Sequence, residues 1–252
     1  MRIAVLSGAG LSADSGIPTF RDALTGLWAR FDPAELATEA AFRRDPALVW
    51  GWYRWRAHAV LAAAPNAGHR GIAALAGAGH VVRVVTQNVD DLHERAGSTD
   101  AIHLHGRLLA SRCIDCGARV DPDPMLQAPV AATDGAREAP PRCAVCGGAF
   151  RPDVVWFGEP LPDTAWREAH AAIVDSELLV VVGTSALVWP AAGLPDVALQ
   201  AGTPVVEINP MRTALSPRAD AHWQTGAADG FARLGALLAT AGPDIRRRLD
   251  TG

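Results

Sequence analysis

A short apolar run, Ile3-Ala4-Val5-Leu6, breaks directly into Gly8-Ala9-Gly10-Leu11-Ser12-Ala13-Asp14-Ser15-Gly16-Ile17-Pro18-Thr19-Phe20-Arg21. A buried strand that ends in a glycine-rich turn and continues as a helix is the arrangement that cradles a pyrophosphate. Gly8 is expected to permit the tight turn, Gly10 to let the backbone approach phosphate, and Ala13 to let helix and strand pack closely. The helix N-terminus would supply N–H donors and the positive end of its dipole. The continuation from Gly16 to Arg21 is more than an ordinary dinucleotide fold requires. The acidic residue that usually follows about 20 positions later, at the end of a second strand, is missing. Asp32 has the spacing, but Arg30-Phe31-Asp32-Pro33 reads as a turn. The adenosine ribose is therefore expected to be held elsewhere.

With 252 residues, 49% hydrophobic and 20% charged, the chain can fold as one large domain and a smaller one. Its longest apolar runs, such as Leu178 to Val182, are strand-length and well short of the ~20 residues that span a bilayer. Met1-Arg2-Ile3 leads straight into a strand, without the apolar segment and cleavage site of a signal peptide. A cytoplasmic location away from membranes is expected. All 23 basic residues are arginine and the net charge is −4. That balance argues against a nucleic-acid partner, which calls for a basic face.

The four cysteines form two Cys-x-x-Cys pairs, Cys113/Cys116 and Cys143/Cys146, each followed by glycine. Four thiolates at such spacing make a closed tetrahedral zinc site with no open position for substrate, so the metal is read as structural. The segment between the pairs, Asp121 to Pro141, is rich in Pro, Ala and Asp and is expected to be mobile.

Strands are expected at the start of the chain, at His80 to Thr86, Ala101 to Leu104, Leu178 to Val182 and Thr203 to Ile208. Helical stretches separate most of them: 34–64, one starting after Pro65-Asn66 and ending near Gly79, and a last one at about 227–241. Such alternation gives a parallel sheet. In open parallel sheets ligands bind at the carboxyl ends of strands. Gly8, Gln87, Asn88, Asp90, His105, Gly183, Ser185 and Asn209 all fall at such ends.

These segments resemble the sirtuins, the NAD-dependent protein-lysine deacylases. The resemblance rests on Gly8 to Arg21, Thr86-Gln87-Asn88-Val89-Asp90-Asp91-Leu92-His93, His103-Leu104-His105-Gly106, the four cysteines, Arg151-Pro152-Asp153-Val154-Val155-Trp156-Phe157-Gly158-Glu159, Gly183-Thr184-Ser185 and Asn209-Pro210. It implies an α/β fold: a Rossmann-like parallel sheet with a smaller zinc-binding module and a helical module. The Rossmann-like domain would comprise 1–33, 65–110 and 151–252, interrupted by the helical module at 34–64 and the zinc-binding module at 111–150. It also implies transfer of an acyl group from lysine to ADP-ribose, releasing nicotinamide and O-acyl-ADP-ribose. The partners would be NAD and acylated-lysine proteins, and the chain a monomer. A chain without lysine could not be its own substrate.

By resemblance, His105 is the base near the ribose hydroxyls, since imidazole titrates near neutral pH. His103, two residues away on a strand, would point the same way, but the family's base directly precedes glycine. Asn88 would hold ribose hydroxyls or the reacting water, Asp90 the nicotinamide amide and Gln87 the ribose. Arg21 would reach the pyrophosphate, and Phe20 would shield the ribose. Gly8, Ala9, Gly10, Ala13, Asp14, Ile17, Gly183, Thr184, Ser185, Asn209 and Ala227 complete the NAD contacts. The family carries Glu or a similar residue two positions after the Asn; here it is Met211. Val155, Phe157, Gly158 and Glu159 would line the acyl-lysine tunnel and pair with substrate backbone, and Val188 would close it.

Tyr53 and Arg56, three apart on a helix, share a face. The sirtuin branch that removes succinyl and malonyl groups carries this pair, and Ala23 also fits that branch. A buried carboxylate needs a partner, and Arg and Tyr donors supply one. Arg54 is expected to face elsewhere. Three readings compete with the deacylase: an NAD-dependent ADP-ribosyltransferase on the same scaffold, a silent NAD sensor, and a zinc-ribbon nucleic-acid module.

Overall fold

A computed structural model describes residues 1–18, 32, 36–126, 137–240 and 245–249. Phe20, Arg21 and Ala23, and residues 127–136 of the segment between the cysteine pairs, lie outside the described residues.

In chain order the elements that position the site are β1 (Arg2–Ser7), α1 (Gly10–Ala13), α2 (Glu39–Arg44), α3 (Pro46–Ala62), α4 (Ala67–Gly77), β2 (Val81–Thr86), β3 (Ile102–His103) and β4 (Gly106–Cys113). They continue with β5 (Phe150–Val154), α5 (Asp163–Val174), β6 (Leu178–Val182), α6 (Leu194–Gln200), β7 (Val205–Ile208), β8 (Ala221–Trp223) and α7 (Ala227–Ala239). Six strands form one sheet in the order β3-β2-β1-β6-β7-β8, every pair parallel. β8 is an edge strand that the sequence pattern does not announce, because three residues cannot display a period.

The β1 and β6 strands read as unbroken apolar runs because both faces of the sheet are covered. Ile3, Val5, Leu178, Val180 and Val182 pack with Ile72 of α4 and Phe231 and Leu234 of α7 on one side. Ala4, Leu6, Leu179 and Val181 pack with Ile173 of α5 and Leu194 and Ala198 of α6 on the other. The strand order reverses between β1 and β6, and this switch point opens a crevice at the carboxyl ends.

A second core joins α2 and α3 to the antiparallel pair β4–β5. Phe42, Trp50, Trp52 and Tyr53 from the helices are buried with Leu108, Met125, Phe150 and Trp156. Arg54 does turn away from the Tyr53/Arg56 face. It is 3% exposed, donates to the carbonyls of Pro124 and Met125 at 2.9 and 2.7 Å, and pairs with Glu138 at 3.3 Å. Removing one partner of such a buried pair costs about 3–5 kcal/mol.

Beyond β4, the two cysteine pairs make matching knuckles. The Gly117 N–H bonds the Cys113 carbonyl at 3.0 Å, and the Gly147 N–H bonds the Cys143 carbonyl at 2.8 Å. Both glycines have positive φ, 71° and 76°, which the turn demands. The four sulfurs lie within 4.8 Å of one another, with Cys113–Cys146 at 3.4 Å and Cys116–Cys143 at 3.7 Å. Zinc–sulfur bonds of about 2.3 Å in a tetrahedron place sulfurs ~3.8 Å apart, so the cluster fits zinc. Among the described residues no helix is long and apolar enough to cross a membrane.

The glycines of the first loop are required for a reason other than the expected one. Neither Gly8 nor Gly10 has positive φ. A Cβ on Gly8 would sit 2.7 Å from Thr184 Cβ, and one on Gly10 would sit 2.8 Å from the Gly183 carbonyl. The two loops touch backbone to backbone, with Gly8 N–H on the Val182 carbonyl at 3.0 Å and Gly10 N–H on the Gly183 carbonyl at 2.8 Å. Ala13, expected to ease helix–strand packing, is exposed along the crevice, and buried Leu11 packs in its place. The α1 helix is a single turn, and the amides of Gly8, Gly10, Leu11 and Ser12 already bond protein carbonyls. The expected row of open helix N–H donors is therefore reduced.

Two predictions follow from this geometry. Gly183→Ala combines φ of +60° with a Cβ driven into Leu11 N, so it should cost about 2–5 kcal/mol and lower Tm by several degrees. An unchanged Tm would refute the close-approach argument. Purified protein should hold one zinc per chain by elemental analysis, and stripping it with a chelator should lower Tm. Metal-free protein of equal stability would remove the zinc assignment.

Candidate active site

A cleft of 1440 Å³ runs along the carboxyl ends of β1, β2, β6 and β7 and continues to the second core. It exceeds the roughly 300–1,000 Å³ of a drug-sized site. Gly8, Ala9, Gly10, Ala13, Asp14, Ile17, Gln87, Asn88, Asp90, His105, Gly183, Thr184, Ser185, Asn209 and Ala227 line it, as do Tyr53, Arg56, Val155, Phe157, Gly158, Glu159 and Val188. Every cofactor- or substrate-site residue expected from sequence that falls among the described residues is therefore on one wall or another. The four cysteines are not.

His105 sits in the turn between β3 and β4. Its position depends on Gly106, whose φ is +77° and whose Cβ would collide with the Asp153 carbonyl. The His105 Nδ1–H donates to the Gln87 carbonyl at 3.0 Å, which leaves Nε2 as the unprotonated nitrogen. Burial lowers its pKa from 6.5, opposed by the Gln87 bond. His105 is thus a neutral, oriented base at pH 7. His103 does not point the same way, because β3 ends there and the chain turns before His105. The His103 ring is held by the Asn88 carbonyl at 3.1 Å and by Glu94 Oε1 at 2.8 Å.

Ser12 organises the floor. Its hydroxyl donates to Asp90 Oδ2 at 2.9 Å and accepts from Asn88 Nδ2 at 3.0 Å. Asp90 also accepts from Leu92 N at 3.1 Å, and burial raises its pKa. Behind Ser12 stand two buried imidazoles. Burial pushes His69 down to about 4 and His93 to about 3, so both are neutral at pH 7. The sequence reading missed Ser12; the available signal was a lone polar side chain between Leu11 and Ala13 in the loop.

At the other end, Asn209 Nδ2 donates to the Thr184 carbonyl at 2.9 Å, and its Oδ1 accepts from Met211 N at 3.1 Å. Gln87 Nε2 donates to Thr184 Oγ1 at 3.0 Å. These bonds tie the ends of β2, β6 and β7 together beneath the cleft. Met211 lines the cleft and is 71% exposed.

Toward the second core, Tyr53 is 2% exposed and Arg56 half-buried, one helical turn apart on α3. The Arg56 guanidinium lies 5.0 Å from the Trp52 ring centroid and 5.7 Å from that of Tyr53. Burial lowers the Arg56 pKa, countered by Tyr53 and Asp90, and the group remains a cation. The Glu159 carboxylate is already engaged by the Arg151 guanidinium and by Trp156 N at 2.9 Å. Phe157 and Val188 are exposed at the mouth.

A family model described as the Sir2 family matches residues 8–190. The chain is 59% identical over 209 residues to NAD-dependent protein deacylase 1 of Pseudomonas aeruginosa, covering 83% of each sequence. It is 50% identical over 236 residues to NAD-dependent protein deacylase Sir2 of Mycolicibacterium smegmatis, covering 93% of this chain and 95% of that one. A solved Sir2 homologue in complex with NAD superposes with a TM-score of 0.82 and 42% identity, covering 98% of this chain and 90% of that one. The glycine loops, the His105 turn and the Val155–Glu159 wall that build the cleft all lie within the matched span, and the chain belongs to the Sir2 family.

Proposed function

We propose that this chain is an NAD-dependent protein-lysine deacylase that accepts acidic acyl groups, succinyl and malonyl, as well as acetyl. The observation that carries the reading is the union, in the lining of one cleft, of an oriented neutral base with a cation and a phenol. The relatives named deacylases supply the reaction class. The glycine loops and the tied ends of β2, β6 and β7 fit an extended dinucleotide. Bound NAD would supply the electrophilic sugar carbon and carry the acyl group away as O-acyl-ADP-ribose.

The remaining chemistry belongs to the chain. His105 Nε2 accepts a proton from a hydroxyl brought against it, while the Gln87 carbonyl holds its ring. Asn88 and Asp90, fixed by Ser12, present an amide and a carboxyl group to the nicotinamide end. Val155, Phe157 and Gly158 flank the lysine stem. Beyond it, Arg56 and Tyr53 face the acyl terminus, where a carboxylate leaving water needs charge-assisted donors. The reading needs one copy of the chain, acting on acylated proteins in the cytoplasm, and no nucleic acid.

Arg56→Met should lower kcat/KM for a succinyl-lysine peptide roughly 10–100-fold, the worth of a hydrogen bond to a charged group, and that for the acetyl peptide much less. Equal loss with both peptides would defeat the carboxylate-recognition reading. For the base, His105→Ala should abolish all deacylation. Because burial lowers the His105 pKa, wild-type kcat/KM should fall only as pH drops below 6.5 and stay level through neutrality. An acid limb centred above 6.5 would exclude His105 as that base.

A further inference from the structure

The Tyr53 hydroxyl is not free to choose its direction. Trp156, 1% exposed, points its indole Nε1–H at Tyr53 Oη at 3.0 Å. An indole nitrogen is a donor only, so Tyr53 must accept on that side. Its own hydrogen must then turn elsewhere in the ring plane. Among the described residues Trp156 is the one hydrogen-bond partner of this hydroxyl. Burial pushes the phenol up to about 12, so the hydrogen is retained at neutral pH. Both residues border the cleft.

The indole itself is clamped. The Arg151 guanidinium, on β5 and 2% exposed, lies 3.3 Å from the Trp156 ring centroid. Glu159 binds that guanidinium and also accepts from Trp156 N. One carboxylate thus fixes the backbone and, through Arg151, the ring face. Phe42 packs on the indole with centroids 5.4 Å apart. An apolar ring of this size would fill the space equally well without such a clamp, whereas the clamp sets where the N–H points.

We propose that Trp156 is a positioning residue for acyl-group selection: its indole N–H occupies the acceptor side of Tyr53 and directs the Tyr53 hydrogen toward the carboxylate of an acidic acyl group. Arg56 then attracts the charge and Tyr53 supplies a directional donor. The role rests on the acidic-deacylase reading above. It also gives Glu159 a task besides substrate contact, as the brace of the donor chain Trp156 to Tyr53 to substrate.

The test compares kcat/KM for succinyl- and acetyl-lysine peptides of one sequence at saturating NAD, and reads their ratio. The variants are Tyr53→Phe, Trp156→Phe, the double variant, and a site-specific replacement of Trp156 by benzothienylalanine. That analogue keeps the indole's shape and lacks its N–H, so it gives an answer even where Trp156→Phe fails to fold. Loss of one directed hydrogen bond should lower the succinyl/acetyl ratio roughly 3–10-fold in both Trp156 variants. In the Tyr53→Phe background the Trp156 change should lower the ratio no further, because the two act as a unit. An unchanged ratio with benzothienylalanine, or independent losses that multiply in the double variant, would overturn the role. If Tyr53→Phe lowers the ratio while both Trp156 variants match wild type, Trp156 alone is excluded. If wild type does not remove succinyl at all, the acidic-deacylase reading has failed and this role falls with it.

Discussion

The close approach of two backbone turns holds this molecule's working parts in place. The loop after β1 and the loop after β6 meet at the point where the strand order reverses. They meet so closely that Gly8, Gly10 and Gly183 cannot carry a side chain. Two inter-loop hydrogen bonds, Gly8 to Val182 and Gly10 to Gly183, fasten the contact. Everything at the cleft floor is referenced to it. Ser12 emerges one turn later and grips Asp90 and Asn88 from the end of β2. Thr184, next to Gly183, receives Gln87 and Asn209. A separation wider by one methyl group would move the ends of β1 and β6 apart and release those bonds together.

The second core answers a different need. Helices α2 and α3 and the β4–β5 ribbon have too little surface each to form an independent core, and they bury their aromatic faces against one another. Cys113 and Cys143 are buried in that core while Cys116 and Cys146 are exposed at its edge, and the four thiols fit a metal that would close the ribbon's end. Two buried arginines join its parts: Arg54 reaches the Pro124 and Met125 carbonyls, and Arg151 lies over Trp156 beside Glu159. Buried cations are stabilising only when fully partnered, and each here has both a carboxylate and carbonyl oxygens. Arg151 thereby fixes Trp156 and Glu159 at the cleft wall, while Arg54 holds α3 to the Pro124–Met125 turn away from it.

Electrostatics divide the histidines by task. His69 and His93 are buried without a carboxylate partner strong enough to offset desolvation, so they stay neutral and serve as fixed hydrogen-bonding groups. His103 is committed to Glu94; burial works against that carboxylate, yet His103 and Arg107 hold it down to about 2. His105 is half-buried, anchored through one nitrogen and open at the other. Two residues apart in sequence, one imidazole is bonded at both nitrogens and the other, followed by the positive-φ Gly106, at one.

The sequence alone determined what depends on local period and spacing. Apolar runs marked the parallel strands, the two Cys-x-x-Cys pairs marked the metal cluster, and polar residues at strand ends marked the cleft. These signals are legible because strand alternation, helical period and ligand spacing are imposed by the backbone itself. Tertiary structure decided which groups meet. It showed that Gly8 and Gly10 answer to a loop some 175 residues away in sequence, that His103 turns from His105, that Ala13 faces the crevice, and that Glu159 is held by Arg151. It also brought forward Ser12 and Trp156, which meet partners from remote segments, Asn88 and Asp90 in the loop after β2 and Tyr53 on α3. Hydrogen-bond partners and close contacts are chosen by packing between segments remote in the chain, and no local pattern records that choice.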